Sequence, residues 1–97
     1  MTRQVILKVN DEIVPLDYFA QAFVDHTTAG MVESLEDTGS IKALILVIDG
    51  KTAITLNGKE VRINDFVSKI VRSTTFGMIS VLKGVQNIEK VEIHLTR

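Results

Sequence analysis

Val5, Leu7 and Val9 alternate with Ile6 and Lys8, a period of two that predicts a strand with one face on a core. Asn10-Asp11 follows, and both residue types tolerate the left-handed backbone of a tight hairpin. The return strand is expected over 12–16, with Val14 and Leu16 inward. Pro15, which lacks an N–H, marks it as an edge strand with that residue outward. Asp17 then sits where an N-cap is needed. Phe19, Phe23, Thr27, Gly30 and Met31 recur at helical spacing, with Leu35 beside them. That helix is expected to run to about Asp37, with Gly39 as terminator. A last strand is expected over 41–48.

The same pattern returns 47 positions later without a gap. Residues 6–48 and 53–95 share ten identities in 43 positions: Asn10/Asn57, Val14/Val61, Phe19/Phe66, Val24/Val71, Thr27/Thr74, Thr28/Thr75, Gly30/Gly77, Met31/Met78, Leu35/Leu82 and Ile41/Ile88. Unrelated segments of ordinary composition would share roughly 3. The second copy carries Asn57-Gly58 at its hairpin, a return strand over 59–63 and Asn64 at the cap position. Its helix is expected to follow Phe66, Ile70, Thr74, Gly77, Met78 and Val81, widened by Val67, Val71 and Leu82. It should end near Lys83, before Gly84. A strand over 88–95 closes it, and Asp49-Gly50 joins the copies in a tight turn.

These readings predict an α+β fold: a tandem duplication of a ββαβ unit, with a mostly antiparallel sheet of up to six strands and two helices packed on it. The 97 residues form a single domain of two internal repeats. Parity assigns the faces. Leu44, Leu46, Ile48, Val91, Ile93 and Leu95 should meet the helices. On the opposite face the last strand carries Ala43, Ile45 and Val47 in the first copy but Lys90, Glu92 and His94 in the second. With both helices on one face, Ile6, Ile13, Ala43, Ile45, Val47 and Ala53 would gather on the other. An apolar patch of that kind is seldom left wet in a monomer. The expectation is a homodimer through that face, rimmed by Lys90, Glu92 and His94.

Composition narrows the chemistry. The chain has no cysteine, which rules out disulfides, thiolate catalysis and cysteine-ligated metals. A net charge of −1 gives no electrostatic reason to expect nucleic acid or an anionic membrane as partner. The first residues lead straight into a strand pattern, so no signal peptide is expected. The longest apolar run, residues 43–48, is far too short to span a bilayer. The expected setting is cytoplasmic.

The block most alike between copies, Thr27–Met31 and Thr74–Met78, lies mid-helix. Glycine there costs about 1 kcal/mol relative to alanine, so Gly30 and Gly77 are expected to mark close packing against a neighbour rather than a ligand site. Opposite charges occupy matching helix positions, Asp25 against Arg72 and Glu36 against Lys83, with Glu33 and Asp37 adding acid and Lys69 base. They are read as solvated faces, with complementary pairing as the sharper alternative. His26 and His94 lack ligand-spaced partners, and Phe76 with Ile79 is expected to be exposed. No catalytic residue, metal ligand or cofactor site can be assembled. The function expected is a non-enzymatic interaction or self-association module using the apolar sheet face. The alternative is a small-molecule binding domain with an apolar cleft between the repeats.

Overall fold

The opening alternation becomes a strand, β1 (Gln4–Val9), in a computed structural model that describes residues 4–35, 40–82 and 85–97. After it come β2 (Glu12–Ile13), α1 (Tyr18–Leu35), β3 (Ala43–Asp49), β4 (Lys51–Leu56), β5 (Lys59–Val61), α2 (Asp65–Ser80) and β6 (Lys90–Thr96). Both hairpins turn as their residues suggest: Asn10 and Asp11 have φ of 52° and 69°, Asn57 and Gly58 φ of 49° and 83°. Both N-caps form. The Asp17 carboxylate accepts from the Ala20 N–H at 2.7 Å, and the Asn64 amide oxygen from the Val67 N–H at 2.8 Å.

Several boundaries differ from the expected ones, each for a local reason. The return strands stop at Ile13 and Val61, because the chain must leave the sheet to reach its caps. The final strands begin at Ala43 and Lys90, because the N–H groups just before them are held by asparagine side chains instead of a ladder. Helix α2 ends at Ser80, with Val81 as its C-cap, short of the expected Lys83. The terminators Gly39 and Gly84, with Asp37 and Lys83, lie outside the described residues.

Among the described residues, six strands form one antiparallel sheet in the order β2-β1-β6-β3-β4-β5. The register is the same in both halves. Val5 lies opposite Leu95 and Lys8 opposite Ile13; 47 positions away, Thr52 lies opposite Ile48 and Thr55 opposite Glu60. At the centre Leu46 lies opposite Ile93, its own counterpart, so the pairing pattern is symmetric about that pair.

One face of the sheet is dry. Val5, Leu7, Val9, Leu44, Leu46, Ile48, Ile54, Leu56, Val91, Ile93 and Leu95 are all buried there, as strand parity requires. Both helices cover this face. Helix α1 contributes Val24, Thr28, Ala29 and Val32, and α2 contributes Val71, Thr75, Met78 and Ile79. The result is a slab of 35 × 34 × 18 Å, one helix layer on one sheet layer. No described helix is long and apolar enough to cross a membrane.

The helices are rotated from the expected orientation. Of the stripe Phe66, Ile70, Thr74, Gly77, Met78 and Val81, only Met78 is buried, and in α1 Phe19 and Phe23 are exposed. The neighbouring stripe makes the core instead, because its β-branched Val24, Val32, Val71, Thr75 and Ile79 fit against the Leu, Ile and Val of the sheet. Ile79, expected to be exposed, is fully buried, and Phe76 is half-buried with the Arg72 guanidinium 5.2 Å from its ring centre.

Candidate functional site

The helix-free sheet face holds every residue of the expected apolar patch but divides them. Strand β6 lies between β1 and β3, so its charged positions run through the middle of the face rather than around it. Across the sheet one row reads Ile13, Lys8, Glu92, Val47, Ala53, and the next Ile6, His94, Ile45, Thr55, Glu60. Ile6 and Ile13 are therefore separated from Ala43, Ile45, Val47 and Ala53 by Lys90, Glu92 and His94, which form a central column and not a rim. Ile45 and Val47 are already half-buried among these neighbours.

The outer surface of the helices is the more apolar of the two. Tyr18 is 89% exposed, Phe19 75%, Phe66 70% and Val81 80%, with Phe23 and Ile70 close to half exposed. At 100° per residue, Phe19, Phe23 and Gly30 lie within a narrow arc opposite the sheet, as do Phe66, Ile70 and Gly77. Phe19 and Phe23 stack with ring centres 6.1 Å apart. Between the start of α1 and the end of α2 runs an open groove of about 820 Å³, lined by Leu16, Phe19, Phe23, Met78, Val81 and Leu82 among others. Exposed aromatic and aliphatic side chains grouped in this way mark contact surfaces.

Gly30 and Gly77 do not mark a crossing within the chain. A Cβ built at either position meets nothing within 4 Å. The stripe that carries them faces outward, so among the described residues of the protomer neither glycine has a packing neighbour. The hydroxyls of Ser34 and Ser80 return to the Gly30 and Gly77 carbonyls at 2.8 and 2.9 Å, which keeps this surface low and small beside the glycines.

The polar groups fall into two sets. The Asn10 side chain accepts from the N–H groups of Glu89 and Lys90 and donates to the Asn87 carbonyl. The Asn57 side chain accepts from Lys42 and Ala43 and donates to the Ser40 carbonyl. Each hairpin asparagine thus clasps the segment leading into the other half's last strand. Two ion pairs have no such counterpart. Asp25, expected on a solvated face, is fully buried, and Arg97 donates to its carboxylate at 2.6 Å. Lys90 donates to Asp11 at 2.9 Å, and that hydrogen bond, with the carboxylate's charge, raises the ammonium pKa above its ordinary value. The Oγ1 atoms of Thr28 and Thr75 are buried and have no hydrogen-bond partner among the described residues.

His26 is exposed on α1 and His94 half-buried on the sheet face. Among the described residues no three His, Asp or Glu side chains come together as a metal site. No family model, no curated protein and no solved structure matches this chain. The outer helix surface offers a groove and exposed apolar side chains. Sequence reasoning missed the outer helix surface because it placed those side chains in the core. The available signal was the recurrence of Phe19 and Gly30 as Phe66 and Gly77, 47 positions on, with bulk and glycine on one arc.

Proposed function

We propose that this chain is a tandem duplication of a ββαβ unit that works as a non-enzymatic, cytoplasmic interaction module, docking through its outer helix surface. The matched registers and the equivalent Asn10 and Asn57 clasps support the duplication. The single observation that carries the docking surface is the exposure of Phe19, Phe23, Phe66 and Ile70 at matching positions of both helices. This surface replaces the sheet face as the preferred one, because the polar side chains of Lys90, Glu92 and His94 interrupt the latter. Leaving such side chains in water forgoes about 25 cal/mol for each Å² of apolar area that a partner could cover.

Oxidative footprinting tests the reading. Phe19, Phe23 and Phe66 should label strongly in dilute isolated protein and weakly in the concentrated or cellular setting. Equal labelling in both would refute it. A second reading, an apolar small-molecule site, is favoured by the groove alone. A ligand there would shield Phe19, Phe23 and Val81 and leave Phe66 and Ile70 open.

A further inference from the structure

We infer that the occupant of the outer helix surface is a second copy of this chain, with α1 of each protomer lying antiparallel on α2 of its partner. The inference rests on the docking surface proposed above and adds the identity and geometry of the partner.

Area allows it. The broad side of the slab, on which both helices lie, is 35 × 34 Å across, and a stable standard-size interface needs about 800 Å² from each side. Shape favours it. Each helix has a bulky start on its outward arc, Phe19 and Phe23 or Phe66 and Ile70, and a low segment farther on, around Gly30 or Gly77. A two-fold contact is self-complementary, so an antiparallel pairing sets the bulk of one helix onto the hollow of another. The glycines then gain the close approach that no described residue of the protomer provides.

Register follows from the protomer. The groove already holds Phe19 and Phe23 level with Val81, Leu82 and Met78 on the neighbouring helix. A two-fold axis parallel to the helices preserves those levels when α1 is laid on the partner's α2. Phe23 then meets the partner's Gly77, and Ile70 meets the partner's Gly30. The same register brings exposed Glu33 within about one helical turn of exposed Lys69, acid beside base on the same flank. The assembly would be two sheets enclosing a four-helix layer, with both dry faces inward.

Sedimentation of the full chain across a wide concentration range tests this, with melting temperature as the check on folding. The unmodified chain should be a dimer. Gly30→Gln with Gly77→Gln should weaken association at least tenfold while leaving the monomer at least as stable as before, since both sites are open in the protomer and glutamine is the better helix former. Ile45→Lys on the sheet face should leave association unchanged. Glu33→Lys should weaken the dimer, and adding Lys69→Glu should restore it. A monomer at every concentration overturns the inference but leaves the docking surface standing if footprinting still shows protection. A dimer that survives the glycine substitutions and dissociates with Ile45→Lys overturns both. A charge exchange that fails to restore association overturns the pairing of α1 with the partner's α2.

Discussion

The two halves of the molecule agree at their hairpin asparagines and helix caps and differ at their ion pairs. Asn10 and Asn57 share a left-handed φ, a hairpin position and the same three hydrogen bonds, 47 residues apart. Asp17 and Asn64 both cap helices. By contrast, buried Asp25 in the first half corresponds to exposed Arg72 in the second, and the Asp11–Lys90 pair corresponds to Gly58 and Ala43. A turn or cap has one geometric solution for a given chain path, whereas an ion pair can be replaced without redrawing the fold. The outer helix surface is the informative exception. Phe19/Phe66, Phe23/Ile70 and Gly30/Gly77 agree between halves there although no backbone requirement explains them.

The largest test of this contrast is Asp25→Ala. Removing one member of a buried pair costs about 3–5 kcal/mol, and the lower end applies here because Arg97 is partly exposed. The matched change Arg72→Ala should cost no more than about 1 kcal/mol, the value of an exposed cation–π contact. Denaturant melts of the two variants read the difference, and similar losses would erase the asymmetry. Next come Asn10→Ala and Asn57→Ala. Each loses three hydrogen bonds worth about 0.5–1.5 kcal/mol apiece and puts alanine in a left-handed conformation costing about 1–2 kcal/mol. Since these bonds are exposed, about 2–4 kcal/mol is expected for each, nearly equal in the two halves. Unequal losses would show that the clasps are not equivalent.

Smaller and opposite in sign are Thr28→Val and Thr75→Val. Each removes a buried hydroxyl with no partner while keeping the branched shape, so calorimetry should show a gain of about 1–2 kcal/mol. The smallest effect belongs to Lys90. Its pKa is higher in the folded chain than in the unfolded one, so its contribution is complete at neutral pH. It is lost only as pH rises above 10.5 through the folded value. Asp11→Asn should flatten that alkaline decline of the melting temperature, with no matching change in the second half.

Much of the local structure is legible in the residues, because local chemistry decides it. Asn10-Asp11 and Asn57-Gly58 announce their turns, Asp17 and Asn64 their caps, and strand parity correctly turns Leu46 and Ile93 toward the helices. Helix rotation was not legible. Both helices carry two adjacent apolar stripes, and a period of 3.6 reports that a stripe exists without saying which of two neighbours meets the sheet. Strand order is likewise absent from periodicity, and placing β6 between β1 and β3 is what moves Glu92 and His94 to the centre of their face. Asp25 was misplaced because its partner Arg97 lies 72 residues away in the chain.

The same placement of β6 has a kinetic side. Strands β1 and β3 of the first half are not neighbours, and β1 has its long pairing only with the final strand, joining Gln4 to Thr96. A growing chain can therefore form its hairpins and helices early, but the first half leaves its slot open until β6 arrives. Such distant closure belongs to slow folders, in the range of milliseconds to seconds, because loop entropy is lost before the pairing compensates for it. In that interval, the strand best shaped to fill the slot is the β6 of another molecule.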